Sequence, residues 1–150
     1  MLTTPDTPWS LDTNILVYAM ATDAPPIKRQ VALDLLAQLF RHPHGGLAGQ
    51  VLSEYLSVVL RKKLASQEFA LETVQIWSRT ARVFDASAAA YLLAWTLAAT
   101  HKYQVWDALI IAICAEHGVK TLYSEDAGSL KRPLGVQVIN PFAELKLAST

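Results

Sequence analysis

Cysteine is nearly absent. The single residue Cys114 excludes a disulfide framework and a cysteine zinc site. A reducing cytoplasm suits such a chain better than a secreted life without disulfides. Excess charge of either sign is also missing, because 13 Lys and Arg offset 13 Asp and Glu. That balance argues against a generic basic binder of nucleic acid, yet leaves room for a basic rim around an acidic pocket. Long hydrophobic runs are lacking: stretches such as Ala108–Ala115 fall far short of the roughly 18 residues that span a membrane. Met1–Pro8 carries neither a basic region nor an apolar stretch, so no signal peptide is expected and the protein is read as cytoplasmic. Repeats, linkers and breaks in composition are missing too, which predicts one domain over residues 1–150.

What is present is core material. Hydrophobic residues make up 52% of the chain against 17% charged, which excludes disorder and a charged coiled coil. Trp9-Ser10-Leu11 reads as a short buried strand, and Asn14–Met20 as either its continuation or a short helix. Pro25-Pro26 marks a helix start, and Val31, Leu35, Leu36, Leu39 and Phe40 follow helical spacing up to a break at His42–Gly46. Leu47-Ala48 is read as a very short strand. Gln50–Lys63 is an amphipathic helix by Leu52, Tyr55, Leu56, Val59 and Leu60, and Ser66 opens another. Val83-Phe84 is a short strand, after which Asp85 or Ser87 caps an Ala- and Leu-rich helix to about Thr100. Ala108–His117 is apolar nearly all round, hence buried, with Gly118 as its C-terminal cap glycine. Val119–Tyr123 and Val136–Ile139 are strands by β-branched content. Short strands alternating with helical stretches predict an α/β fold: a mainly parallel central sheet with helices on both faces.

Four acids stand out by position. Asp12 ends the first strand, and Asp126 lies just past Val119–Tyr123. Asp107 opens the buried helix, and Glu54 lies at the edge of an apolar arc. Open parallel sheets bind ligands beyond the carboxyl ends of their strands, where two of these acids fall. Each also has an ordinary explanation: turn or N-cap for Asp12, Asp126 and Asp107, and a solvated helix position for Glu54.

Ser10-Leu11-Asp12-Thr13-Asn14-Ile15-Leu16-Val17-Tyr18-Ala19 resembles the opening motif of PIN domains, nucleases that include VapC-type toxins. The helical Glu54, then Asp107-Ala108-Leu109-Ile110, then Ser124-Glu125-Asp126 follow in the family's order. The ending Gly135–Phe142 is also similar. Residues 127–133 depart from the Leu-Gln-like pair that relatives often carry after the last Asp.

The resemblance implies a PIN-like nuclease domain and a metal-dependent endoribonuclease yielding a 5′-phosphate and a 3′-hydroxyl. Asp12, Glu54, Asp107 and Asp126 would hold one or two ions, and oxygen donors suit Mg²⁺ or Mn²⁺. Thr13, Asn14 and Ser124 are the matching polar neighbours, read either as positioning groups or as local turn hydrogen bonds. Arg61, Lys62, Lys63, Lys131 and Arg132, with Lys28 and Arg29, are candidates for holding RNA. For Arg61-Lys62-Lys63 the alternative is simple complementation of a helix dipole. Trp106 is read as core, with base stacking as the alternative.

The resemblance further implies a homodimer and a cognate antitoxin whose tail covers the acidic groove. The apolar faces of Ile27–Phe40, Gln50–Lys63 and Ala86–Thr100, with Trp77 and Trp95 outside the core, fit such surfaces. A housekeeping RNA-processing nuclease and a non-catalytic PIN-like interaction domain are the competing readings. A receiver domain is disfavoured, because no early acidic pair and no lysine after a late strand occur.

Overall fold

The computed structural model describes residues 3–101, 103–126 and 132–143. Five strands, β1 (Trp9–Leu11), β2 (Gly45–Ala48), β3 (Arg82–Phe84), β4 (Thr121–Tyr123) and β5 (Gln137–Ile139), form one sheet in the order β3-β2-β1-β4-β5. Every neighbouring pair is parallel. Six α-helices accompany them among the described residues: α1 (Thr13–Met20), α2 (Pro26–Arg41), α3 (Gly49–Arg61), α4 (Gln67–Thr80), α5 (Ala88–His101) and α6 (Val105–Glu116). The chain builds outward from β1 to β3, then returns past β1 to β4 and β5. Right-handed crossovers therefore put α1–α4 on one face and α5 and α6 on the other. Packing follows that division: α1 lies on α2 and α3, α3 on α4, and α5 on α6.

Several local outcomes decide between forms that the sequence left open, or differ from it. Asn14–Met20 is helical, because the Asp12 carboxylate caps the chain at Thr13 N (2.7 Å) and turns it out of the strand. Helix α2 ends before His42–Gly46 as expected, and Gly45-Gly46 extends β2 beyond the expected Leu47-Ala48. A Cβ at Gly46 would stand 2.5 Å from Phe84 Cζ and 2.9 Å from the Arg82 carbonyl, so only glycine lets β2 sit this close to β3. Helix α6 starts at Val105 with Gln104 as its cap, so Asp107 lies in the first turn and is not itself the cap. Ser87, not Asp85, caps α5, its hydroxyl accepting from Ala90 N.

Gly118 does end α6 as expected. At φ +72° it permits a Schellman closure, Val119 N to Cys114 O (2.8 Å) and Gly118 N to Ala115 O (3.3 Å). That closure uses the Val119 amide, and β4 starts only at Thr121. Helix α3 closes in the same way, Leu64 N to Val59 O, but with Lys63 at φ 53° where glycine is usual.

The core is continuous across both faces of the sheet. Trp9, Leu11, Ile15, Leu35, Leu47, Val51, Ile113 and Leu122 are fully buried, each contributing about 1.5–3 kcal/mol of hydrophobic stabilisation. Two tryptophans reverse expectation. Trp77 is inside, packed on Tyr55 with ring centroids 4.9 Å apart, whereas Trp106 is 64% exposed. Trp95 is exposed as expected. Among the described residues no helix is long and apolar enough to cross a membrane.

Candidate active site

The order β3-β2-β1-β4-β5 has its switch point between β1 and β4, where the chain's direction of travel across the sheet reverses. A crevice opens at such a point, beyond the carboxyl ends of the strands. Asp12 follows β1 directly, and its amide still pairs with Tyr123 O (2.9 Å), which fixes it over the switch. Asp126 follows β4 by three residues. Helix α3 starts one residue after β2, so its second turn carries Glu54 to the same edge. Helix α6 feeds β4 and so runs against it, which brings its N-terminal turn and Asp107 up beside the strand ends.

Asp12, Glu54, Asp107 and Asp126 line one open cavity of about 400 Å³, with Thr13, Asn14, Val17, Tyr18, Val58 and Lys62. All four predicted acids and two of the three predicted polar neighbours therefore share one wall. The third, Ser124, is buried just behind it. Its hydroxyl donates to Asp12 Oδ2 (2.7 Å) and accepts from Asp126 N (3.1 Å) and Asn14 Nδ2 (3.3 Å). Asn14 Nδ2 also reaches Asp126 Oδ2 (3.3 Å), and Asn14 Oδ1 accepts from Glu125 N (3.2 Å). Thr13 donates to Glu54 Oε2 (2.9 Å). These polar residues thus make local turn bonds and orient the acids at the same time.

The electrostatics are strained. Burial pushes the Asp12 carboxyl above its ordinary range. The Ser124 and Thr13 hydrogen bonds oppose that rise, while Glu54 and Asp107 add to it. Asp107 is also raised, first by partial desolvation and then by Asp126 and Glu54. It lies on the exposed rim, so solvent screens much of this repulsion. Among the described residues no three acid, histidine or cysteine side chains converge as a ready metal cage. Glu54 is held by Thr13 and Gln50, and Asp126 by Asn14. Magnesium does not demand such a cage, since it keeps several waters and commonly takes one or two carboxylates plus substrate phosphate oxygens. The hard-oxygen donor set and the crowded negative charge fit a divalent cation of that kind. Cys114 is no nucleophile: burial, with Asp12 nearby, pushes its thiol up to about 12.

The basic candidates separate. Lys62 lines the acidic cavity. Arg61 lines a neighbouring groove of about 500 Å³ with Gln50, Ser53, Glu54, Ser57, Val58, Gln104, Trp106 and Asp107. Lys63 and Arg132 are exposed and line neither, and Lys131 lies outside the described residues. Lys28 is engaged elsewhere, paired with Glu125 (2.6 Å) and lying over the rings of Tyr18 and Phe142. Tyr18 donates to the same carboxylate (2.7 Å), so this cluster anchors the residue between Ser124 and Asp126. Gln50 is a site residue that sequence reasoning missed. Its Nε2 donates to Glu54 Oε1 (2.6 Å) and to the Trp106 carbonyl (2.9 Å), tying α3 to the start of α6. The available signal was its spacing, one helical turn before Glu54.

An all-parallel five-stranded sheet with an acid-lined cavity at its switch point defines an α/β protein built to bind at that edge. The PIN domain family model matches residues 10–133. That is most of the chain, and the chain belongs to the PIN domain family of nucleases. Among solved structures it is similar to VapBC2 from Rickettsia felis bound to a promoter DNA fragment (20% identity, TM-score 0.65, covering 88% of this chain and 97% of that one). It is also similar to FitAcB from Neisseria gonorrhoeae (23%, TM-score 0.64, 90% and 99%). A third is Mycobacterium tuberculosis VapC20, described as a toxin cleaving the sarcin–ricin loop (22%, TM-score 0.62, 76% and 86%). At these identities the likeness bears on the fold. Comparison with curated protein sequences finds no match.

Proposed function

We propose that residues 1–150 form one nuclease domain, a metal-dependent endoribonuclease acting in the cytoplasm as the toxin of a toxin–antitoxin pair. The observation that carries this reading is the gathering of Asp12, Glu54, Asp107 and Asp126, from four separate stretches of chain, around one cavity. Packing does not require such a gathering, and charge repulsion opposes it. The four acids would hold Mg²⁺ or Mn²⁺, whose chemistry when bound is to activate water and neutralise charge on the leaving 3′-oxygen. Ser124 and Thr13 keep the Asp12 and Glu54 carboxylates oriented toward the cavity, and Asn14 steadies Asp126. Lys62 offers a cation to the RNA backbone at the cavity wall.

The partner reading is an antitoxin whose arginine enters the acidic cavity. A guanidinium pairs bidentately with carboxylates and would block substrate as it does so. The exposed Leu92 and Trp95 on α5, and Phe69 and Leu71 on α4, support subunit and partner contacts. Light scattering should give a dimer mass.

The deciding experiment is cleavage of a mixed-sequence single-stranded RNA by purified protein, with Mn²⁺ or Mg²⁺ and with excess EDTA. Wild type should cleave only with metal, and Asp12→Asn should be inactive with a native circular dichroism spectrum. Full activity in EDTA, or in that variant, would overturn the proposal.

A further inference from the structure

Trp106 is among the most exposed large apolar side chains described here, and it precedes an active-site acid directly. Its place is not a loose loop tip. It lies in the first turn of α6, and its carbonyl is held by Gln50 Nε2, which also holds Glu54. The backbone that carries the ring is therefore tied to the Gln50 amide that holds Glu54, and it adjoins Asp107. It borders the groove of about 500 Å³ that shares Glu54, Val58 and Asp107 with the acidic cavity. The two hollows thus adjoin, with α3 residues Glu54 and Val58 lining both. The groove's other lining residues, Ser53, Ser57, Gln104 and Arg61, carry polar groups amid a largely apolar surface. Arg61 faces this groove while its neighbour Lys62 faces the acidic cavity, so a strand running through both meets one cation in each.

From this arrangement we infer that the groove is a nucleotide subsite, in which a base next to the scissile phosphate stacks on the Trp106 indole and Arg61 meets the adjoining phosphate. The inference rests on the ribonuclease reading and adds a substrate-binding residue to it. Single-stranded nucleic acid is held by this combination of an aromatic platform and a cation along the backbone. Stacking tolerates any base, while the Gln104 amide and the Ser57 hydroxyl supply donors and acceptors for a base edge.

The test uses Trp106→Ala and Trp106→Phe beside wild type, on single-stranded RNA oligonucleotides. Binding is measured without metal, by indole fluorescence quenching and by anisotropy of labelled RNA, and cleavage with Mn²⁺. Trp106→Ala should weaken binding by roughly five- to a hundredfold, with the loss falling on KM more than on kcat. Trp106→Phe should restore most of the affinity, and the quenching seen in wild type should vanish in both variants. Equal RNA affinity in Trp106→Ala and wild type would overturn the subsite while leaving the nuclease reading intact. So would a Trp106→Ala protein that loses RNA binding only by falling from dimer to monomer, since that makes the ring a subunit contact. A wild-type protein that neither binds nor cleaves RNA would overturn both readings together.

Discussion

Removing one hydroxyl from behind the cavity should separate orientation of the acids from their mere presence. Ser124 is 2% exposed, and its Oγ joins Asp12 Oδ2, Asp126 N and Asn14 Nδ2. In Ser124→Ala the half-buried Asp12 carboxylate loses a donor at 2.7 Å. A hydrogen bond to a charged group is worth about 1.5–3 kcal/mol. The other two partners add little, because Asp126 is exposed and water can replace them. A loss near 2 kcal/mol corresponds to a Tm lower by about 4–8 °C for a chain of this length.

The effect should depend on pH, with a definite sign. The folded pKa of Asp12 lies above its ordinary 3.8, and the Ser124 hydrogen bond, with the Thr13 amide, restrains that rise. Between the two values the folded chain holds more protons than the unfolded one, so stability falls as pH rises through that window. Ser124→Ala extends the window upward. Below the ordinary carboxylate range Asp12 is neutral in both states, and the deficit should shrink to that of a neutral hydrogen bond, about 1 kcal/mol. Thermal melts of both proteins in EDTA, from below the carboxylate range to neutrality, measure this. A deficit that stays constant with pH, or equal midpoints at neutral pH, would refute the reasoning.

Three further substitutions probe other parts of the same account. Asp107→Asn should abolish cleavage while raising metal-free stability by less than about 1 kcal/mol, since solvent screens this exposed carboxylate. An unchanged or lower melting midpoint would count against charge crowding. Lys63→Gly should stabilise the chain by up to about 1 kcal/mol in urea unfolding, by relieving the left-handed backbone at φ 53°. A loss of stability there would mean that the lysine side chain outweighs its backbone cost. Gly46→Ala should destabilise by about 1–3 kcal/mol, because the new methyl meets the Phe84 ring and the Arg82 carbonyl. Restoration by a second change, Phe84→Leu, would identify the ring as the obstacle.

The α/β class, the core face of α2 and α3, the Gly118 cap and the four acids were all legible in the sequence. Each follows from local rules: helical spacing of apolar residues, the left-handed freedom of glycine, and acids placed after strands. Residues that carry their own signal in a short window can be read without knowing what lies across the sheet. The chain alone did not decide whether Asn14–Met20 is strand or helix, since a short run that is apolar almost throughout has no periodicity to choose between them. The Asp12 cap decided it, and that cap exists because Asp12 is anchored to Tyr123 of β4, 111 residues along the chain. Gly45-Gly46 lies past the end of α2 as expected, but its place in β2, where the Phe84 and Trp9 rings leave no room for a side chain, is a matter of tertiary packing.

The tryptophans make the same point. Trp77 and Trp106 have the same chemistry, and only tertiary packing sends one against Tyr55 and leaves the other at the groove. The same holds for Gln50, a polar helix residue whose importance comes from a carbonyl 56 residues away. Sequence fixes which side chains are available and which local structures they favour. Long-range contact decides which partner each one meets, because burial and hydrogen bonding are settled by atoms that only folding brings within reach.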